Sequence, residues 1–324
     1  MIIIKSPLRI TFGGGGTDLP SFYNKNGGFL ISATIDKYIY INLYEPFKDY
    51  FFLKYSNYEK VKKIKNIKHP IIKKIFERYL PSQNKIEMQV AADVPAGTGV
   101  GSSGAFTVAL IKAIYSYQNR SIGHNELAEK ACQIEIEDLK RNVGKQDQYS
   151  SVYGGINSYQ FSKNKVVVKP LKISKPILEK LDDNLCLFFT KFSRSADTIL
   201  KKQNIQTKKN NKEIIKNLEF NKELGIKSKK FLENGGLDDF AEVLNEQWRC
   251  KYERSPETIN SRIKFLYKLG LDNGASGGKL VGAGGGGFLL FYAHDKEKLI
   301  NAMSKEGIEE MRFKFDFNGV TRII

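Results

Sequence analysis

Residues 93–106 read DVPAGTGVGSSGAF, which puts one proline, four glycines and two serines into a single short stretch. The preceding residues 86–93 alternate apolar and polar side chains and predict a strand, while residues 102–118 have the apolar spacing of a helix. A glycine-rich loop between a strand and a helix can bind phosphate, because its backbone N–H groups and the helix dipole favour an anion. Ser102 and Ser103 begin the helix, so one can cap it and one hydroxyl can reach a metal ion.

Two common phosphate-binding patterns fit this stretch less well. The P-loop needs Gly-Lys followed by Ser or Thr, and the lysine beside glycine here, Lys279, precedes Leu280. A GxGxxG pattern matches at 99–104 and again at 282–287, but dinucleotide binding also requires an acidic residue after a second strand, about 20 residues later. Two predicted helices follow instead. A glycine-rich turn without a ligand is the remaining alternative.

Two further windows concentrate glycine. Residues 13–16 hold four of the 28 glycines, and residues 274–287 hold eight. The first window lies between predicted strands at 1–12 and 29–44, and the third precedes a predicted strand at 288–293. Such clusters indicate tight turns or close approach of the backbone to a ligand. The third window is therefore either a hairpin turn or a second loop that reaches the same ligand.

Acidic residues follow the second window. Glu135 and Glu137 fall in a predicted helix at 125–141, and Asp147 lies in the segment GKQDQY at 144–149. An acid on a helix and an acid beyond its end can face one site, where one binds Mg²⁺ and the other accepts a proton from a hydroxyl. A solvated helix face is the simpler explanation for the two glutamates, and a helix N-cap is an alternative for Asp147.

The composition narrows the class of protein. The formal net charge is +17, but 42 of the 52 basic residues are lysines and only ten are arginines. Base recognition and paired phosphate contacts rely mostly on arginine, so we expect lysine-covered helix surfaces and no nucleic-acid partner. Three widely spaced cysteines and three isolated histidines argue against a disulfide framework, a zinc site and a serine or cysteine hydrolase.

The pattern along the chain predicts two domains. No apolar run approaches the roughly 20 residues that span a bilayer, which predicts a cytoplasmic protein without a membrane partner. The prolines near 170–184 favour a boundary there, with domains at 1–175 and 176–324. The other predicted elements are a helix at 70–80, a hairpin at 156–169, a strand at 185–190, lysine-rich helices over 196–270 and a strand–helix–strand section over 279–324.

The three glycine windows, in this order, resemble the motifs of the GHMP kinase superfamily, which includes galactokinase and mevalonate kinase. The first motif is SPLRITFGGGGTDLP at 6–20, the second runs from Pro95 to Ala105, and the third is the loop at 274–287. Within the superfamily the chain is most similar to the D-glycero-D-manno-heptose 7-phosphate kinases, which share the start of the first motif, the segment GKQDQY and an Arg-Ser-Ala stretch at 194–196. The galactokinase glutamate is replaced by glycine at 15, which argues against galactose as the substrate.

The resemblance implies an α+β fold with an S5 domain 2-like N-terminal domain, a ferredoxin-like C-terminal domain and the site in the cleft between them. It also implies an enzyme that uses ATP and Mg²⁺ to phosphorylate the anomeric 1-hydroxyl of a phosphorylated sugar, D-glycero-D-manno-heptose 7-phosphate, to the 1,7-bisphosphate, in nucleotide-activated heptose synthesis for surface polysaccharide. The alternatives are another sugar 1-kinase of the fucose type, a non-catalytic protein of the same fold that binds nucleotide and sugar, and a nucleic-acid binder.

The resemblance also implies residue roles. Asp147 would be the base and Arg9 would stabilise the transition state. The phosphates of ATP would contact Pro95, Gly97, Gly99, Gly101, Ser102, Ser103 and Gly104. Ser103 and Glu135 would hold Mg²⁺, with Glu137 as the alternative ligand. The sugar would contact Gly14, Gly15, Thr17, Asp18, Arg194, Gly284 and Gly285, and its own phosphate would pair with Arg194, Lys251 or Lys145.

Overall fold

The computed structural model describes residues 1–81, 85–193 and 196–324. Its strands are β1 (Ile2–Gly13), β2 (Gly28–Tyr44), β3 (Phe51–Lys54), β4 (Tyr58–Val61), β5 (Glu87–Ala92), β6 (Ile156–Phe161), β7 (Val166–Pro170), β8 (Leu185–Phe189), β9 (Ala275–Leu280), β10 (Phe288–Ala293) and β11 (Thr321–Arg322). Its α-helices are α1 (Pro20–Asn26), α2 (Pro70–Tyr79), α3 (Ser102–Tyr117), α4 (His124–Cys132), α5 (Gln146–Tyr153), α6 (Lys175–Asn184), α7 (Ala196–Lys208), α8 (Lys212–Asn234), α9 (Leu237–Arg254), α10 (Ser261–Asp272) and α11 (Lys296–Lys305).

The larger sheet has eight strands in the order β11-β1-β2-β5-β3-β4, with β6 paired to β2 and β7 to β6. Strand β2 is long enough to pair with β1 along one side and, on the other side, with β6 at one end and β5 at the other. Helix α3 is apolar on nearly every side, because it lies between this sheet and helices α4 and α5. Its first residue is therefore fixed next to strand β1.

The smaller sheet has the order β8-β10-β9, and all its pairings are antiparallel. The central strand β10 reads FLLFYA and is buried along its whole length. One isolated bridge, between Phe188 and Glu310, lies at the free edge of β8, where a fourth strand of a ferredoxin-like sheet would pair. Trp248 of α9 stacks on Tyr267 of α10 with ring centroids 4.0 Å apart, which packs these two helices together.

The larger and the smaller sheet, each with the helices packed on it, form two layers that are joined by shared elements. The predicted last strand of the C-terminal section is the short β11, and it pairs with β1 of the larger sheet instead of the smaller one. Helix α8 also packs on the first glycine window, because a Cβ atom on Gly225 would lie 3.1 Å from the Cα of Gly14. One buried apolar cluster continues from the larger sheet into β8, α9 and β10. The cleft therefore lies between two layers that share one apolar core.

Several predicted elements are confirmed, and two are corrected. The strand at 86–93, the helices at 70–80 and 102–118 and the hairpin at 156–169 are present. The predicted helix 125–141 is wrong in its second half, because α4 ends at Cys132 and residues 133–138 form a π-helical segment. The third glycine window is also narrower than predicted, because residues 275–280 form strand β9 and only 281–287 form the loop. In the described part of the chain, none of the helices has the length and hydropathy needed to cross a membrane.

Candidate active site

The three glycine windows meet around one cavity between the two layers. Its volume is about 1180 Å³, above the roughly 300–1,000 Å³ of a site for one small ligand. The predicted residues that line it are Arg9, Gly15, Asp18, Pro95, Gly97, Gly99, Gly101, Ser102, Ser103, Glu135, Asp147, Lys251 and Gly284. The cavity is therefore large enough for two substrates, with the second glycine window on one wall.

The backbone of the second window requires glycine. Gly97, Gly99 and Gly101 have φ angles of 77°, 81° and 83°, in the left-handed region that other residues avoid. A Cβ atom on Gly99 would also lie 2.8 Å from the carbonyl oxygen of Val281, at the start of the third window. The second and third windows are therefore in direct contact, so the third is both a hairpin loop and a wall of the same cavity.

The two residues predicted to be catalytic form an ion pair. Nε and Nη2 of Arg9 donate to Oδ1 of Asp147 at 2.8 and 2.6 Å, and Nη1 donates to the carbonyl oxygen of Gly99 at 2.5 Å. Arg9 is buried on strand β1, while the carboxylate of Asp147, in the first turn of α5, is 28% exposed. Lys145 occupies the N-cap of α5, which rules out the N-cap alternative for Asp147.

Glycine lets the elements around Asp147 approach closely. A Cβ atom on Gly104 would lie 2.5 Å from the Cβ of Asp147, and one on Gly144 would lie 1.8 Å from Oδ2 of Asp18. Gly104 does not line the cavity. Gly104 therefore packs α3 against α5, and its contact with ATP stays a prediction.

Glu135 lies under the start of α3 and is 1% exposed. Its Oε1 accepts hydrogen bonds from Ser103 Oγ and Arg141 Nη1, both at 2.6 Å, and its Oε2 accepts one from Gln148 Nε2 at 2.7 Å. Burial raises the pKa of this carboxyl, and the positive charge of Arg141 opposes that shift. The π-helical segment turns Glu135 inward and leaves Glu137 exposed, which favours Glu135 of the two predicted metal ligands.

The predicted sugar-binding residues divide into two groups. Gly15, Asp18 and Gly284 line the cavity. Asp18 is 7% exposed, and burial together with the charge of Asp147 raises its pKa. The prediction for Thr17 is corrected, because this side chain is buried and its hydroxyl bonds to the carbonyl oxygens of Gly14 and Phe29 at 2.8 and 2.9 Å.

Three other predicted sugar contacts have different outcomes. Gly14 packs against β2, since a Cβ atom there would lie 2.1 Å from the carbonyl oxygen of Phe29. Neither Gly14 nor Gly285 is among the residues that line the cavity, and their contact with the sugar stays a prediction. Arg194 lies outside the residues that the structure describes. Lys145 pairs with Glu129 at 2.8 Å and does not line the cavity, so its predicted contact with the sugar phosphate is also corrected.

Sequence reasoning named Lys251 but missed two cations that line the cavity with it. Lys251 and Arg254 of α9 and Lys279 of β9 line the cavity together. The amino group of Lys279 donates to Oε1 of Gln247 at 2.5 Å, and that of Lys251 donates to the carbonyl oxygens of Leu280 and Gly282, both at 2.6 Å. No sequence signal distinguished Arg254 and Lys279, because basic residues are spread over the whole chain and these two join Lys251 only in the fold.

Burial and mutual repulsion lower the pKa values of these three side chains. Burial lowers the pKa of Lys279 to about 7, with the charges of Arg9 and Arg254 as further causes. The pKa of Lys251 is lowered well below its usual range by burial and by the charge of Lys279, and burial lowers that of Arg254 to about 10. The wall is therefore electrostatically unfavourable for cations unless an anion binds there.

The free energy of unfolding is expected to rise with pH between about 7 and 10.5 because of Lys279. In that window the unfolded chain keeps a proton that the folded chain has lost, so deprotonation favours the folded state. Below pH 7 Lys279 is charged in both the folded and the unfolded state, and the folded state carries the full cost of burying that charge. Lys279→Met should therefore stabilise the protein by about 2 kcal/mol at pH 6, and by less as the pH approaches 10.

Chemical unfolding of the variant and the wild type at a series of pH values measures this effect. The exposed Lys209→Met serves as the control and should leave the pH dependence unchanged. An equal gain in stability for Lys279→Met at pH 6 and pH 10 would contradict the prediction.

Comparison with known proteins identifies the family of the chain. Residues 63–155 match the model of the GHMP kinase N-terminal domain, and residues 228–309 match that of the C-terminal domain. The chain is 34% identical to D-glycero-alpha-D-manno-heptose 7-phosphate kinase of Campylobacter jejuni, over 98% of this chain and 97% of the relative. It is 30% identical to part of the bifunctional fucokinase/GDP-fucose pyrophosphorylase of Arabidopsis thaliana, over 64% of this chain and 20% of that relative.

Solved structures show the same fold. A D-glycero-D-manno-heptose 1-phosphate kinase from Bacteroides thetaiotaomicron superposes with a TM-score of 0.83 at 24% identity, covering 100% of this chain and 99% of that one. A galactokinase from Lactococcus lactis, in complex with galactose, superposes with a TM-score of 0.74 at 16% identity, covering 99% and 94% of the two chains. Both family models and a full-length relative agree, and this chain belongs to the GHMP kinase family.

Proposed function

We propose that this protein transfers the γ-phosphoryl group of ATP to the anomeric 1-hydroxyl of D-glycero-D-manno-heptose 7-phosphate and so forms the 1,7-bisphosphate. The observation that carries the proposal is the ion pair between Arg9 and Asp147 beside Gly101, where helix α3 begins. A carboxylate in this position is next to the loop that would bind the phosphates of ATP. The full-length relative from Campylobacter jejuni supports the choice of sugar.

The chemistry follows from the positions of these side chains. Asp147 accepts the proton of the attacking hydroxyl, since its partly exposed carboxylate faces the cavity. Arg9 contacts both Asp147 and the carbonyl oxygen of Gly99, so its charge lies between the base and the phosphate loop. In that position it offsets negative charge that develops on the transferred group.

The acceptor sugar would lie against the first glycine window. Asp18 offers a buried carboxylate to sugar hydroxyls, and the backbone N–H of Gln146 donates to its Oδ2 at 3.1 Å, which fixes its orientation. Gly15 has no side chain at the position where galactokinases carry a glutamate, which leaves space for a sugar larger than galactose. Gly284 of the third window also lines the cavity.

The oxygen ligands near the phosphate loop fit Mg²⁺. Ser103 and Glu135 would hold the ion, and Arg141 now contacts both, so a cation already neutralises this carboxylate. Within the described ranges no group of three or more His, Cys, Asp or Glu could hold a metal. Mg²⁺ commonly binds one or two carboxylates and completes its shell with substrate phosphates. When bound, Mg²⁺ would neutralise charge on the phosphates of ATP.

A kinase assay across a panel of sugars tests the proposal. The panel contains heptose 7-phosphate, the same heptose without its phosphate, fucose and galactose, and ADP release reports turnover. Phosphorus NMR of the product then identifies the new phosphate ester. We expect turnover of heptose 7-phosphate to dominate, with a new anomeric phosphate signal. Preference for fucose, or ester formation at another hydroxyl, would contradict the proposed substrate or position.

A further inference from the structure

Arg141 lies between the two oxygen atoms that would hold Mg²⁺. Its Nη1 donates to Ser103 Oγ and to Glu135 Oε1, both at 2.6 Å, and these two oxygens are themselves 2.6 Å apart. Two adjacent ligands of an octahedral Mg²⁺ ion are about 2.9 Å apart, so this spacing suits one shared ion. The guanidinium therefore takes the place of a cation between the two predicted metal ligands.

The guanidinium and a metal ion compete for these oxygens. A metal ion held by both oxygens would lie close to Nη1 of Arg141, and two cations in contact repel each other strongly when they are shielded from bulk water. Glu135 is 1% exposed, and its other oxygen, Oε2, already accepts from Gln148 Nε2 at 2.7 Å. Oε1 of Glu135 therefore serves either Arg141 or the metal ion.

The backbone directs Arg141 back to Glu135. Lys140 has a φ angle of 53°, in the left-handed region that residues other than glycine seldom adopt. The chain turns there, after the π-helical segment, and the backbone N–H of Arg141 donates to the carbonyl oxygen of Glu135 at 3.0 Å. The backbone N–H of the next residue, Asn142, donates to Oδ1 of Asp197 in α7 at 2.6 Å. Arg141 therefore contacts Glu135 through both its backbone and its side chain.

The side chain of Arg141 is nevertheless held at one atom. Only its Nη1 has hydrogen-bond partners among the described residues, and the side chain is 29% exposed. Arg9, by contrast, uses Nε, Nη1 and Nη2, and its side chain is 7% exposed. Arg141 also lines the cavity, so it can leave Oε1 of Glu135 without unpacking the fold, and its free N–H groups suit phosphate oxygens.

We infer that Arg141 is a placeholder cation, which occupies the metal ligands of the free enzyme and yields them to Mg²⁺ that arrives with the nucleotide. This inference rests on the proposed function for the use of ATP and Mg²⁺. A buried carboxylate without a counter-ion is costly, so the placeholder compensates Glu135 before the metal binds. A free divalent cation must displace it without help, whereas nucleotide phosphates bring further metal ligands and an anion for the released guanidinium. Metal and nucleotide therefore enter together.

The first test measures binding of Mn²⁺ to the full-length protein without nucleotide. Mn²⁺ takes the same oxygen ligands as Mg²⁺, and electron paramagnetic resonance measures its free concentration. We expect Arg141→Gln to bind Mn²⁺ about 10-fold or more tightly than the wild type does. The double variant Glu135→Gln with Arg141→Gln should lose this gain, because the amide carries no charge.

Arg78→Gln is the matched control. Arg78 pairs with Asp138, in the same π-helical segment as Glu135 but outside the cavity, so its loss should change the affinity for Mn²⁺ by less than about 2-fold. Loss of a merely structural arginine does not create a tighter metal site. An affinity of Arg141→Gln within about 2-fold of the wild type would therefore overturn the inference, as would a gain that persists in the double variant.

The second test uses the wild type, so it decides the inference even if Arg141→Gln folds poorly. NMR follows the side-chain Nε–H signal of Arg141, which is assigned by its loss in Arg141→Lys. We expect the signal to move when Mg²⁺ is added to the protein with a saturating non-hydrolysable ATP analogue. A signal that stays in place on addition of Mg²⁺ would overturn the inference. Neither test contains a sugar, so a different result from the sugar panel changes the proposed substrate and leaves the role of Arg141 to these two measurements.

Discussion

Replacement of Asp147 by asparagine is expected to lower kcat by about 10³-fold and to leave the affinity for ATP within about 2-fold. Asparagine has the same shape and can still accept a hydrogen bond from Arg9 through Oδ1, so the loop and helix α5 keep their positions. It cannot accept the proton of the sugar hydroxyl. The change also removes one negative charge from the cavity, so it should not weaken binding of the negatively charged nucleotide. Coupled ADP release measures kcat, and titration with a fluorescent nucleotide measures the affinity.

Asp138→Asn is a matched control for this prediction. Asp138 also pairs with an arginine, Arg78 at 2.5 Å, but this pair lies outside the cavity. Its loss should change stability by less than about 1 kcal/mol and leave kcat unchanged. Retention of most of the activity in Asp147→Asn would exclude Asp147 as the base, and an equal loss in both variants would indicate a general effect of broken ion pairs.

The site residues that could be predicted are those with a strict local requirement. Gly97, Gly99 and Gly101 adopt backbone angles that only glycine accepts readily, so their pattern is visible in the sequence. The pairing of Arg9 with Asp147 followed from the resemblance, and no local rule connects residues this far apart. A sequence does not distinguish glycine needed for packing, as at Gly14 and Gly104, from glycine needed for binding.

The rest of the site depends on long-range packing. Lys279 and Lys251 are two of 42 lysines, and only the stacking of α9 against β9 brings them to one wall. The π-helical turn at 133–138 could not be predicted, since residues 125–141 keep the apolar spacing of an α-helix. Strand β11 has two residues and exists because the free edge of β1 pairs with it.

Gly282→Ala is expected to lower the affinity for ATP, because the added methyl group pushes the second and third glycine windows apart. The φ angle of Gly282 is 75°, and a Cβ atom there would lie 2.5 Å from both the Cα and the carbonyl oxygen of Gly99. The strain of a left-handed alanine adds about 1–2 kcal/mol, and the overlap with a rigid backbone adds about 1–3 kcal/mol more. The phosphate loop must shift, and we expect the affinity for ATP to fall by about 10-fold or more as the melting temperature drops.

Gly307→Ala is the control that separates the effect of backbone strain from the effect of the contact between Gly282 and Gly99. Gly307 has a similar φ angle of 70°, but the nearest atom to its added Cβ is the flexible amino group of Lys191, 3.6 Å away. This variant should lose about 1 kcal/mol of stability and none of its affinity for ATP. Nucleotide titration and thermal unfolding of both variants compare the two effects directly. If both lose the same stability and both keep their affinity for ATP, the contact between Gly99 and Gly282 does not shape the phosphate loop. A loss of affinity only in Gly282→Ala means that the third glycine window, next to the smaller sheet, sets the geometry of the phosphate loop next to the larger sheet.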